Sequence, residues 1–241
     1  MNIGVVPARL ASKRLPKKIL ADLDGKPMVV HTMEQVLKTQ KLDKVILAID
    51  SEETLDALKD FGFDMVMTSK DHCSGTDRVA EVVKKNEDAE VIINIQGDEP
   101  LVDPNIIDEL VDLFEDKNVN MGTAISKKLT VDDLLDDNVV KAIIDQDKNV
   151  IDFKRNIYDS EIGGLYRHIG IYGFRRNALF QFSMLDRSPR EQKRKLEQMR
   201  ALDNGLPIRA TITGFESFAV DTKSDLNKVL QLMGAKETGL D

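Results

Sequence analysis

The stretch Ile3-Gly4-Val5-Val6-Pro7-Ala8-Arg9-Leu10-Ala11-Ser12-Lys13-Arg14-Leu15-Pro16-Lys17-Lys18 decides the fold. Its opening run is β-branched, apolar and too short for a buried helix, so it reads as a strand. The loop that follows is made of small and basic residues, and the first twenty positions hold five basic side chains and no acidic one. Outward from this unit, similar short runs recur at Val45–Ile49, Met65–Met67, Val91–Ile95 and Met121–Ile125. Between them, apolar residues repeat at helical spacing over Pro27–Lys38, Glu52–Phe61, Thr76–Lys85 and Pro104–Phe114. Pro27 and Pro104 suit a first helical position, Ser51 suits an N-cap ahead of Glu52 and Glu53, and Ser74 with Asp77 resembles a capping box. Strand and helix in alternation predict an α/β fold: a mostly parallel sheet flanked by helices on both faces, with ligands at the carboxyl ends of the strands.

The second half is less regular. Val139–Ile144, Val150–Lys154, Tyr166–Phe174 and Pro207–Thr213 read as strands, with helices near Pro189–Leu202 and Lys223–Met233. Asp147–Asn149 fits a hairpin turn, which predicts a smaller antiparallel sub-lobe beside the parallel core. No linker divides the chain, so residues 1–241 read as a single domain: a first half to about 130, a sub-lobe over about 131–215, and a last helix, about 223–233, returning to the core. The tail from Gly234 reads as frayed.

Composition narrows the function. With 41% hydrophobic and 32% charged residues the chain is an ordinary globular protein. A net charge of −8 opposes a broad grip on nucleic acid or anionic lipid, though a small anion can still bind where cations cluster. One cysteine forms no internal disulfide, and the three histidines make no paired zinc motif. The N-terminus lacks a signal-peptide pattern, and no run reaches about 18 apolar residues. A cytoplasmic protein, with neither a membrane nor a nucleic-acid partner, is expected.

Four places carry chemistry. The Arg9–Lys18 loop follows a strand end, where exposed amides and cations suit a polyphosphate, and the plain alternative is a solvated charge run. Walker A and dinucleotide glycine patterns are missing; Gly25-Lys26-Pro27 has neither the spacing nor the hydroxyl. The run Asn94-Ile95-Gln96-Gly97-Asp98-Glu99-Pro100 sets a carboxylate at a strand tip, where Asp98 would hold Mg²⁺ or only shape a turn. Asp221, before the last helix, offers a second carboxylate or an N-cap. Ser74-Gly75-Thr76-Asp77-Arg78 opens a helix and either meets a nucleotide or is simply a cap. In Arg167-His168-Ile169-Gly170-Ile171-Tyr172, alternation puts Arg167, Ile169 and Ile171 on one face, His168 and Tyr172 on the other. Glu197-Gln198 reads as the solvent face of a helix, Cys73 as a small buried or semi-buried residue, and His31 as structural.

Taken in order with Leu196-Glu197-Gln198 and Val220-Asp221-Thr222, these stretches make the chain resemble, from residue 3 to about 233, the cytidylyltransferases that activate 3-deoxy-manno-octulosonate (Kdo), the CMP-Kdo synthetases. The resemblance implies a nucleotide-diphospho-sugar transferase fold, CTP and an acidic keto sugar as partners, Mg²⁺ as cofactor, a homodimer, and a role in lipopolysaccharide synthesis. It assigns the first half to the nucleotide and the sub-lobe to the sugar and the dimer. By position it gives Arg9, Ser12, Arg14 and Lys18 to the triphosphate, and Ala8, Ser74, Gly75, Asp77 and Arg78 to the nucleotide. Asp98 and Asp221 would hold the metal, and with Arg9 and Lys18 form the catalytic set. Gln96, Arg155, His168, Glu197 and Gln198 align with sugar-acid contacts, Arg155 suiting the sugar carboxylate. Lys17 stands where the family commonly has glycine and Ile19 where it has proline. Phe153-Lys154-Arg155 replaces a Phe-Ser-Arg stretch, and the segment from Arg155 to Arg167 is short.

The implied reaction is metal-assisted in-line attack of the sugar's anomeric hydroxyl on the CTP α-phosphate, with pyrophosphate leaving toward Arg9, Arg14 and Lys18. The altered Phe153–Arg155 stretch leaves another acidic sugar open, an amino-substituted Kdo or a nonulosonic acid. A non-catalytic nucleotide-binding module is the alternative from another class. Sugar transfer with an Asp-x-Asp motif matches Asp145-Gln146-Asp147 in letters only.

Overall fold

In the computed structural model, which describes residues 1–157 and 164–234, the opening run lies in β1 (Asn2–Ala8). Its side chains alternate between two cores: Ile3 and Val5 pack into one, Val6 and Ala8 into the other, all fully buried. A small hairpin follows, β2 (Asp22–Leu23) and β3 (Lys26–Pro27), turned by Asp24 and Gly25 at φ 52° and 80°. Asp-Gly supplies the positive-φ pair that a two-residue hairpin needs. Pro27 therefore ends a strand, and α1 (Met28–Val36) begins one residue later than expected.

The expected alternation then holds through β4 (Lys44–Ile49), α2 (Glu52–Leu58), β5 (Met65–Met67), α3 (Gly75–Lys84), β6 (Val91–Asn94), α4 (Pro104–Asp112) and β7 (Met121–Ser126). Ser51, Ser74 and Asp103 each cap the helix that follows by accepting a backbone N–H. Beyond β7 come α5 (Val131–Leu135), β8 (Lys141–Ile144), β9 (Val150–Lys154) and β10 (Leu165–Arg175). The chain continues through α6 (Arg176–Met184), α7 (Pro189–Arg194), α8 (Met199–Asp203), β11 (Ile208–Thr213) and α9 (Lys223–Leu232).

The main sheet has the order β11-β7-β10-β6-β1-β4-β5. All neighbours are parallel except β10, which runs antiparallel between β6 and β7. One face is covered by α3, α6 and α8, the other by α1, α2 and α4, so the sheet is buried on both sides as its apolar strands require. The helix α9 packs through Val229 on a third cluster with Leu23, Met28 and Val220.

Three expectations change in the second half. Of residues 131–215, only β8, β9 and the start of β10 stand off the main strand order, whereas the rest of β10 and all of β11 belong to the central sheet. The helix read as Pro189–Leu202 is broken: Lys195 adopts φ 55° and closes α7, and Leu196-Glu197-Gln198 form the turn before α8. The helix α6 has no counterpart in the sequence pattern, because it follows β10 directly with no side-chain cap or turn residue to announce it. The hairpin at Asp147–Asn149 is present; the Asp145 carboxylate accepts the N–H of Asp147 and Asn149 at 2.9 and 2.8 Å. Most of the tail assigned as frayed, and the middle of the short Arg155–Arg167 segment, lie outside the described residues.

Candidate active site

The ends of β1 and β6 open onto a cleft of about 640 Å³, bounded by the Arg9–Lys18 loop, the N-terminus of α3 and the segment before α9. Arg9, Ser12, Arg14 and Lys18 line it, as do Ser74, Gly75, Arg78, Gln96, Asp98 and Asp221. Most of the residues read from four distant stretches thus converge on one space, at the strand ends where an α/β sheet presents ligands.

At its centre the Lys18 ammonium stands between the two acidic residues, 2.5 Å from Asp98 Oδ2 and 2.9 Å from Asp221 Oδ1. Arg14 adds a second cation, 2.9 Å from Asp221 Oδ2. Burial alone would lower the Lys18 pKa, but the charge and hydrogen bonds of Asp98 and Asp221 outweigh it and hold the group above its ordinary value. Burial would raise Asp221; Lys18 and Arg14 outweigh it and hold the carboxyl below the usual range. Asp221 is not the N-cap. Thr222 caps α9 in a reciprocal box with Asp225, which leaves the neighbouring carboxylate free to face the cleft.

Backbone contacts fix these carboxylates in place. Val220 donates to the Asp98 carbonyl at 2.9 Å, joining the two acidic segments. A Cβ at Gly97 would lie 3.1 Å from the Pro7 carbonyl oxygen, so glycine lets the β1 and β6 tips approach. Lys17, where the resemblance leads one to expect glycine, takes φ 52°, the left-handed region that glycine enters at least cost. Two carboxylates within reach of one cation form a donor set suited to a divalent ion whose other positions go to water and phosphate oxygens. Among the described residues, no group of three or more His, Cys, Asp or Glu gathers as an all-protein metal cage.

Several expected contacts lie elsewhere. Ala8 is buried in the core beneath the loop. Arg78 borders the cleft, but its guanidinium is buried, pairing with Asp50 at 2.9 Å and donating to Thr68 Oγ1. Asp50 also accepts the Leu10 N–H at 2.9 Å, so Arg78 braces the phosphate-side loop from below. Asp77 gives its N–H to the Ser74 cap and does not line the cleft. Arg155 donates to the carbonyls of Arg194, Asp137 and Lys195, so its guanidinium is committed to backbone and lies outside the cleft.

His168, Glu197 and Gln198 also sit outside the cleft lining. Glu197 accepts from Thr76 Oγ1 at 3.0 Å, and Asn94 Nδ2 donates to the same hydroxyl at 3.3 Å. Burial raises the Glu197 pKa against the opposing pull of Ser74, Arg200 and Thr76. Gln198, read as solvent-facing, is buried. The His168 ring packs edge-on to Phe153 at 4.9 Å and near Tyr172 at 5.5 Å, with Nε2 3.0 Å from Thr123 Oγ1. Burial pushes its pKa down to about 3, which keeps the ring neutral. The expected facial alternation survives a register shift between Ile169 and Tyr172, because the irregularity adds residues in an even number. Ile169 and Ile171 join the core shared with β1's Val6, while Tyr172 packs against the other.

Some functional candidates are invisible in the sequence pattern. Glu99, beside Asp98 in the β6 strand-tip motif, is buried, and burial followed by the Asp98 charge pushes its pKa up to about 7. Thr76 and Asn94 also belong to the motifs at the α3 start and the β6 end, but nothing in their spacing tells of a shared partner. Cys73, expected to be buried or semi-buried, is exposed and borders the cleft beside His72. His31 is structural, its Nε2 2.6 Å from the Leu23 carbonyl.

The cytidylyltransferase family model matches residues 3–212. The 3-deoxy-manno-octulosonate cytidylyltransferase of Geobacter sulfurreducens is 41% identical, covering 96% of this chain and 99% of its own. That of Chloroherpeton thalassium is 42% identical, covering 96% and 97%. The solved CMP:2-keto-3-deoxy-manno-octonic acid synthetase complexed with CTP superposes with a TM-score of 0.90 at 33% identity, covering 97% of this chain and 99% of that one. The inositol-1-phosphate CTP transferase of T. maritima, at 17% identity, a TM-score of 0.69 and coverage of 100% and 98%, shares the fold alone. On the match over nearly its whole length, the chain belongs to the 3-deoxy-manno-octulosonate cytidylyltransferase family.

Proposed function

We infer that this protein is a CTP-dependent nucleotidyltransferase that moves a cytidylyl group from CTP to the anomeric hydroxyl of Kdo, giving CMP-Kdo and pyrophosphate. The observation that carries the reading is the meeting of Lys18, Arg14, Asp98 and Asp221 in one cleft. The exposed cations of the loop, Arg9 and Arg14, together with the Ser12 hydroxyl, bind the triphosphate and receive the departing diphosphate. Ser74 and Gly75, at the start of α3, present backbone amides to the nucleotide. Lys18, held at the level of the acidic pair, balances charge at the α-phosphate as the bond to the β-phosphate oxygen breaks. Gln96 lines the same cleft, and with Glu197, tied to the start of α3 through Thr76, it is assigned to the acceptor sugar.

Mg²⁺ fits the Asp98–Asp221 pair, and when bound it would neutralise phosphate charge and make the acceptor hydroxyl more acidic. Positioning supplies the rest; no protein nucleophile is needed. The same reading makes the working form a cytoplasmic homodimer whose product feeds lipopolysaccharide synthesis. Family membership supports it, and the single cysteine suits a reducing compartment.

The test is pyrophosphate release with CTP, Mg²⁺ and Kdo. Asp98→Asn should lower turnover by on the order of a hundredfold or more, with the melting temperature little changed because the side chain is at a strand tip rather than in a core. Undiminished turnover would remove Asp98 from the mechanism. Arg155, committed to backbone, leaves the sugar carboxylate without its assigned partner. An amino-substituted Kdo therefore belongs in the same assay, and turnover of that acid with Kdo inert would change the acceptor while leaving the chemistry.

A further inference from the structure

One buried hydroxyl ties the start of α3, at the edge of the cleft, to Glu197, which lies outside the cleft lining. Thr76, 2% exposed, is the second residue of α3, immediately after the Ser74-Gly75 start that borders the cleft. Its Oγ1 donates to Glu197 Oε2 at 3.0 Å and accepts from Asn94 Nδ2 at 3.3 Å. Asn94, 1% exposed, ends β6 two residues before Gln96. Ser74 also hydrogen-bonds the Glu197 carboxylate. From the opposite side Arg200 approaches, its guanidinium 3.7 Å from Glu197 Oε1 and fixed by two hydrogen bonds to Glu191 at 2.9 and 2.7 Å.

Glu197 is therefore held between a hydroxyl pair and a cation. An isolated carboxylate so close to a guanidinium would turn onto it to form a bidentate pair. The two hydroxyls on α3 oppose that turn. Two acceptor atoms in the cluster, Asn94 Oδ1 and Glu197 Oε1, are buried without a hydrogen-bond partner. Both lack a donor, and a polyhydroxylated acceptor supplies donors.

We propose that Thr76 is a positioning residue, whose hydroxyl, braced by Asn94, keeps the Glu197 carboxylate out of a bidentate pair with Arg200 and in the orientation that receives the acceptor sugar's hydroxyl groups. The proposal rests on the reading above that the sugar acid lies beside Glu197. Because Thr76 follows the nucleotide-facing start of α3, the helix that meets one substrate also sets the group that reads the other.

Thr76→Val keeps the shape and removes the hydroxyl. It should raise KM for Kdo about tenfold, leave CTP binding measured without turnover within about twofold, and shift the melting temperature little; Thr76→Ser should restore the sugar KM. Glu197→Gln, assayed in parallel, should also raise the sugar KM. If Glu197→Gln raises it and Thr76→Val does not, the proposal falls while the acceptor site stands. If Glu197→Gln leaves it unchanged, the acceptor lies elsewhere and the proposal falls with that placement. A Thr76→Val protein that loses CTP affinity and thermal stability in proportion, or one whose defect Thr76→Ser does not repair, shows a packing role and overturns the proposal.

Discussion

Lys18 shows what a residue read from sequence can and cannot reveal. Its charge and its place after a strand point to an anion site, yet the partners that define it are 80 and 203 positions away. Arg78 and Arg155 show the same limit from the other direction: a guanidinium is visible in the letters, but the Asp50 carboxylate or the backbone carbonyls that engage it are not. His168 gives a test of burial at this scale. Its ring lies among Phe153, Tyr172 and Thr123, and burial pushes its pKa from 6.5 down to about 3. Between those values the unfolded chain binds a proton that the folded ring refuses, so stability rises with pH across the window and falls as acid is added. Above the window this group contributes no slope. The free energy of urea unfolding should therefore drop between about pH 7 and about pH 5 in the wild type, and drop less in His168→Gln. An equal drop in both would mean that His168 titrates normally in the fold.

At the scale of elements, alternation and caps make β1 and the strands and helices from α1 through β7 legible because each is announced by its own residues, whereas the two-residue strands β2 and β3 are too short to carry a pattern. The second half hides its elements where that local punctuation fails. Lys195 breaks a helical run without glycine or proline, and α6 begins without a cap. The strand β10 is the hardest to place, since inserting it antiparallel between β6 and β7 depends on non-local pairing. One residue makes the insertion fit. A Cβ on Gly173 would lie 2.5 Å from Phe114 Cε2 and 2.8 Å from Cζ, far inside contact distance. Phe114 is buried below α4 and stacked near Arg175, so it has little room to retreat. Gly173→Ala should destabilise the protein by roughly 1–3 kcal/mol, lowering the melting temperature by about 2–4 °C per kcal/mol for a chain of this length. Its KM for CTP should stay unchanged, because neither Gly173 nor Phe114 lines the cleft. An unaltered melting temperature would show that the Phe114 ring can move aside.

For the whole molecule, the decisive pattern is a cationic cleft on an acidic protein. The net charge is −8, yet the loop from Arg9 to Lys18 carries no acidic residue. That contrast is legible in the amino-acid sequence itself. What the letters leave open is whether the far acidic surface or the near cations govern a nucleotide's approach. Distance decides it. Charges more than a Debye length away, about 10 Å at 0.1 M salt, are screened, whereas contacts within a partly enclosed cleft keep most of their strength. Near cations should then dominate CTP binding, and added salt should weaken it by competing for them and screening the partly exposed ones. Arg14 is the informative probe, since its side chain is 58% exposed and pairs with Asp221 at the cleft rim. Arg14→Gln should both weaken CTP binding and flatten its dependence on salt, read as the slope of affinity against sodium chloride in a calorimetric titration. If wild-type affinity instead rises with salt, the distant negative surface is the stronger influence, and the loop does not grip the triphosphate as its charge suggests.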